Sequence, residues 1–144
     1  MGIIINVKTG TLQEGWFYND QPDGYRRRIE GGNSQVSYAE TKDGDRCGFG
    51  RYLWPSGSQQ YAFYVKNNAE GFGIYVHPSG RRYEGMYVGD KRNGWGKVFD
   101  KEGVEEGMWR DSKQEGEHIL TCAKTGKKYM LSYRGGDEIS RREL

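Results

Sequence analysis

Three glycine-aromatic-glycine triplets, Gly48-Phe49-Gly50, Gly71-Phe72-Gly73 and Gly94-Trp95-Gly96, stand 23 residues apart, twice in succession. A fixed period of this length marks a repeat architecture, in which one supersecondary unit is copied and stacked. The flanks keep the same phase. Pro55-Ser56-Gly57 answers Pro78-Ser79-Gly80, and Ser37-Tyr38-Ala39 answers Gln60-Tyr61-Ala62 and then Tyr83-Glu84-Gly85. The unit is therefore the whole segment, not the triplet. Weaker copies run upstream from Glu14-Gly15-Trp16-Phe17 to Gly24-Tyr25, and downstream from Glu106-Gly107-Met108-Trp109 to Gly116-Glu117-His118; Tyr129 to Tyr133 open a last one. The reading is one array over residues 1–144, with copies near 13–36, 37–59, 60–82, 83–104 and 105–127 and partial copies at 1–12 and 128–144.

Within one copy Tyr83, Gly85 and Tyr87 alternate with Glu84, Met86 and Val88, the period of a strand that sends the first set to one face. Gly89 to Asn93 is rich in turn-forming residues, and Gly94 to Phe99 reads as the returning strand. Each copy is thus a β-hairpin. The expected fold is all-β: an elongated, single-layer antiparallel sheet of tandem hairpins. Composition bears on how such a sheet holds together. Glycine occurs 23 times and aromatics make up 14% of the chain, while branched aliphatics are scarce, so rings must replace an aliphatic core. Recurrent Tyr, Trp and Phe also argue against disorder, which avoids them. Large rings lying across glycine backbone on the neighbouring strand are the expected packing.

The segment Tyr83-Glu84-Gly85-Met86-Tyr87-Val88-Gly89-Asp90-Lys91-Arg92-Asn93-Gly94-Trp95-Gly96-Lys97-Val98-Phe99 closely resembles the MORN repeat (membrane occupation and recognition nexus). That pattern is Tyr-Glu-Gly-x-Trp, a turn containing glycine, then Gly-x-Gly, and the resemblance covers nearly all of the chain. Three positions depart from it: Thr41 replaces a strand aromatic, Gln60 a leading Tyr, and Arg26 the second glycine after Gly24. The resemblance implies a role like that of MORN arrays in ciliary, junctional membrane-tethering and cytoskeletal scaffolds.

No catalytic constellation is legible. His77 and His118 are read as strand-surface residues at similar places in separate copies, and the acidic pair Glu105-Glu106 as solvated charge. No nucleophile elbow is present, and no cofactor or metal site is expected: Cys47 and Cys122 match no zinc or redox spacing and are expected as free thiols. Lys plus Arg number 22 against 20 Asp plus Glu, with the basic residues scattered in twos and threes, so a nucleic-acid surface is not expected. The start of the chain resembles neither a signal peptide nor an acylation site, and a cytoplasmic home, in a cytoskeletal or ciliary assembly, is the expectation.

The function read from this is a non-catalytic adaptor or scaffold that binds a helix or extended peptide of a protein partner. Phe17, Thr41, Tyr64, Tyr87, Trp109 and Tyr133 recur one copy apart at the strand centre. Phe17, Tyr64, Tyr83, Tyr87, Trp109 and Tyr133 are the candidate partner-binding residues, because Tyr and Trp bury much area with few rotors. The alternative is a peripheral module for anionic, phosphoinositide-bearing membranes; an edge-to-edge homodimer through exposed terminal strands is a further option.

Overall fold

Six pairs of adjacent residues, Asn19-Asp20, Asp43-Gly44, Lys66-Asn67, Gly89-Asp90, Asp111-Ser112 and Gly135-Gly136, hold positive φ at both positions. This is the backbone of the two-residue type I′ turn, whose twist matches that of the strands it joins. Asn, Asp and Gly dominate because they tolerate that region. The expected turn over Gly89 to Asn93 therefore shrinks to Gly89-Asp90. A tight turn of the matching hand lets pairing begin at once, and Lys91 already faces Val88.

The computed structural model describes residues 1–144. The strands are β1 (Gly2–Asn6), β2 (Thr11–Tyr18), β3 (Gln21–Ile29), β4 (Val36–Lys42), β5 (Asp45–Leu53), β6 (Gln59–Val65), β7 (Asn68–Val76), β8 (Arg82–Val88), β9 (Lys91–Phe99), β10 (Gly103–Arg110), β11 (Lys113–Cys122), β12 (Lys128–Arg134) and β13 (Asp137–Glu143). They form one antiparallel sheet of 13 strands in sequence order. The all-β hairpin array read from the sequence is what the chain forms. At about 4.8 Å per strand the sheet advances roughly 58 Å.

Both glycines of each triplet are fixed by geometry, for different reasons. The first, Gly48, Gly71 or Gly94, has φ of 68°, 75° or 99°, a left-handed conformation that an L side chain resists. It sits where the register with the partner hairpin strand slips, so it makes a β-bulge. The second glycine belongs to a transverse row of small residues, Ala39, Gly50, Ala62, Gly73, Gly85, Gly96 and Gly107, each opposite the next. Rings lie directly on this row. A Cβ on Gly50 would come within 3.0 Å of the Tyr64 ring, one on Gly73 within 3.0 Å of Tyr87, and one on Gly96 within 2.5 Å of Tyr83. The buried cluster is accordingly built from Ala62, Tyr64, Ala69, Tyr83, Tyr87, Val98 and Trp109. It coats one face of a single sheet.

Where the row fails, both partners change together. Arg26 takes the place of a glycine on β3 and Thr41 the place of the covering ring on β4. Arg26 is buried and donates to Gln13 Oε1 at 2.8 Å, while Thr41 Oγ1 donates to the Gly24 carbonyl at 2.7 Å.

The turns are also laced to one another. The second turn residue donates its N–H to the preceding hairpin at each step: Gly44 to Pro22 O, Asn67 to Arg46 O, Asp90 to Ala69 O, Ser112 to Arg92 O and Gly136 to Gln114 O. Side chains return the link, with Asn67 Oδ1 accepting from Arg46 N at 2.9 Å and Asp90 Oδ1 from Ala69 N at 2.7 Å.

Gly96→Val forces a side chain into the Tyr83 ring and is expected to destabilise the fold by about 1–3 kcal/mol. Gly32→Ala, at a site with open space around it, should stay within about 0.5 kcal/mol. Asp90→Ala removes one lacing bond and should cost about 1 kcal/mol. Urea melts of the three variants check this ordering.

Candidate functional site

Strand alternation carries the candidate rings to the glycine face. Tyr64, Tyr83, Tyr87, Trp109 and Tyr133 are buried there and Phe17 is half-buried. Four of them, with His118, form a chain of edge-on contacts that does not include Tyr64: Tyr83 meets Tyr87 at 5.6 Å between centroids and Trp109 at 5.3 Å, and His118 meets Trp109 at 6.1 Å and Tyr133 at 4.9 Å. Phe17 lies apart, against Gly2 at the first strand pair. Burial pushes the phenol of Tyr64 up to about 12, against the opposing charge of Arg46, and raises Tyr83, Tyr87 and Tyr133 as well. These hydroxyls stay neutral at any physiological pH. They serve as hydrogen-bond groups and floor.

Two arginines rest on that floor. Arg46 on β5 places its guanidinium carbon 4.8 Å from the Tyr64 ring centre and 4.9 Å from that of Tyr52. Arg92 on β9 sits 4.4 Å from Tyr83, 5.3 Å from Trp109 and 5.6 Å from Tyr75. Arg46 donates from Nη2 to Asn67 O at 2.7 Å, and the positive charge of Arg92 opposes the burial that raises the Tyr87 phenol. Neither forms an ion pair. Ring stacking holds each planar cation in place without neutralising it.

Between and around them runs an open groove of about 510 Å³, edged by Trp54, Tyr52, Tyr75 and Gln60. Its one carboxylate, Asp90, already accepts the Ala69 N–H. Chemically the groove offers flat apolar walls, two held positive charges and amide groups. That suits recognition of a chain bearing negative side chains.

Sequence reasoning missed the arginines. Arg46 and Arg92 are 46 residues apart, two full periods, and that spacing was the signal available. It also misplaced both histidines. His118 is not a surface residue: it is 1% exposed and occupies the position that Gly96 holds one copy earlier, its ring lying on Gly107. His77 ends its strand in the loop beside Ser79 and is exposed, so the two are not equivalent. Glu105, expected to be solvated, lies beneath the same rings. Its Oε1 is 2.8 Å from His118 Nδ1, while His118 Nε2 is 2.8 Å from the Met108 carbonyl, and Tyr133 OH donates to Glu105 Oε2 at 3.3 Å. Burial by itself pushes the Glu105 carboxyl up. The contact with His118, helped by Gln114 and Tyr133, outweighs it and holds the group below its ordinary value.

Three consecutive segments, residues 42–59, 63–81 and 83–97, match the MORN repeat. They coincide with the region of regular rings on glycine. No curated protein is similar to the chain in sequence. Among solved structures, the chain is similar to the SAS-4 (dCPAP) TCP domain in complex with a proline-rich motif of Ana2 (dSTIL) from Drosophila melanogaster. The two share 14% identity at a TM-score of 0.41 over 99% of this chain and 88% of the other.

Because the folded Glu105 titrates below its unfolded value of about 4.5, its contribution to stability is complete above that pH and is lost as the pH falls through the folded value. Urea unfolding measured from pH 7 to pH 3 should show this acid-side loss. Glu105→Gln should reduce stability near neutrality and flatten the acid limb; an unchanged limb would remove Glu105 as its source.

Proposed function

From a chain that carries consecutive MORN repeats, a class of interaction module, we propose a non-catalytic protein-binding adaptor whose glycine face takes a helix or extended segment of a partner protein. The carrying observation is the pair of ring-stacked arginines, Arg46 and Arg92, neither in an ion pair, in an aromatic groove whose one carboxylate, Asp90, is engaged by the Ala69 N–H. A held guanidinium with free donors recognises carboxylate well, since little ordering remains to be done on binding. Phe17, Tyr64, Tyr83, Tyr87, Trp109 and Tyr133 act in this reading mainly by shaping the floor. Contact falls to the half-buried Tyr52, Trp54, Tyr75 and the two arginines.

The geometry of the sheet sets what a partner must offer. Arg46 on β5 and Arg92 on β9 are four strand spacings apart, roughly 19 Å. Acidic groups would stand about 13 residues apart on a helix, or about six apart on an extended segment. An anionic lipid head group would meet the same cations, so vesicles form the second arm of the test.

Display of random peptides against the full chain should enrich sequences with acidic groups at one of those spacings beside apolar residues. Arg46→Glu combined with Arg92→Glu should weaken the selected peptides at least about tenfold, a loss of about 1.4 kcal/mol or more, with the melting temperature kept. Equal enrichment by the double variant would count against the groove. Arginine-dependent sedimentation with phosphoinositide vesicles, with no peptide selected, would shift the reading to lipid.

A further inference from the structure

The face away from the glycines exposes a row of large apolar side chains that nothing in the chain covers. Phe49, Phe63, Phe72, Met86, Trp95 and Met108 occupy six consecutive strands, β5 to β10, and each is 40% to 60% exposed. Register aligns them: Phe49 faces Phe63, Phe72 faces Met86, and Trp95 faces Met108. Phe49, Phe72 and Trp95 each follow a bulge glycine, the device that turns a side chain outward at that point. Glu40 on β4 and Glu117 on β11 hold the corresponding positions and end the row on either side. Tyr25 and Trp16 continue it beyond Glu40.

With about half of each side chain exposed and roughly 200 Å² per ring, the six present about 600 Å². Two copies would cover roughly 1,200 Å², the lower bound of a specific interface, before flanking side chains are counted. A second row runs beside the first on the same face and the same six strands: Arg51, Tyr61, Ile74, Glu84, Lys97 and Glu106.

We propose that this stripe packs face to face on the same stripe of a second copy, about a two-fold axis that runs along the strands between β7 and β8. That axis is the centre of the apolar row. It lays β5 on β10, β6 on β9 and β7 on β8, so Phe49 meets Met108, Phe63 meets Trp95 and Phe72 meets Met86. In the flanking row it sets Arg51 against Glu106, Tyr61 against Lys97 and Ile74 against Glu84, so no like charges meet within that row; at the two exposed margins of the stripe Glu40 on β4 comes over Glu117 on β11. Shifting the axis onto β7 would oppose Arg51 and Lys97 and press Glu40 onto Met108. Shifting it onto β8 would press Glu117 onto Phe49. The two glutamates therefore fix the register, in an isologous contact of sheets about 10 Å apart. This leaves the groove on the glycine face free in both copies.

Sedimentation velocity of the full chain from about 1 to 200 µM should show a monomer–dimer equilibrium, as befits an interface at the small end of the range. Phe63→Glu with Trp95→Glu should leave only monomer, with an unchanged melting temperature because both side chains are exposed. Arg51→Glu alone should weaken the dimer at least about fivefold, and adding Glu106→Arg should restore it, which tests the pairing without touching the stripe. A wild-type chain that stays monomeric throughout overturns the proposal, whether or not it sediments with vesicles. So does a dimer that survives the double glutamate variant, which would belong to the open edges of β1 and β13, or a charge swap that fails to rescue.

Discussion

A ring laid flat on a glycine of the next strand is the contact on which the whole array depends. A single sheet has no second layer to bury its apolar side chains, so it must bury them in itself. Removing Cβ from Gly50, Gly73, Gly85, Gly96 and Gly107 opens a trough in one face, and the rings of Tyr64, Tyr87, Tyr83 and His118 lie in it. Branched aliphatics would serve poorly here, because they cannot span a strand spacing. The scarcity of Leu, Ile and Val and the abundance of glycine are thus one fact seen from two sides.

That economy explains how much of the molecule could be read from residues. The period of 23, the hairpins and the rings over glycine follow from spacing and alternation alone, and the sheet has them. Local rules failed where a bulge or a substitution broke the phase. His118 looked like a surface histidine because it was compared with His77; aligned on its own triplet it falls on the glycine row, where only burial awaits it. Glu105 seemed solvated because its neighbours in sequence are polar. Its neighbours in space are His118, Gln114 and Tyr133, contributed by β11 and β12.

The site shows the same limit. Rings could be assigned to a face by counting, but counting does not say which of them remain reachable. Tyr64, Tyr83 and Tyr87 are covered by their neighbours and by arginine side chains. What a visitor meets is the guanidinium of Arg46 or Arg92 and the edges of Tyr52, Trp54 and Tyr75. Cation-on-ring stacking joins residues from strands far apart in sequence, and only the folded register shows it.

The small-residue row has bulky ends: Arg26 before Ala39, and His118 followed by Leu131 after Gly107. These side chains occupy the trough themselves and close it. Between the two stoppers the hairpins β6–β7 and β8–β9 are built alike, each offering the next the same kind of turn, trough and ring. Gene duplication inside that stretch would therefore lengthen the groove by about 10 Å per added hairpin without disturbing either stopper. Reach, in such a design, can evolve by simple copying.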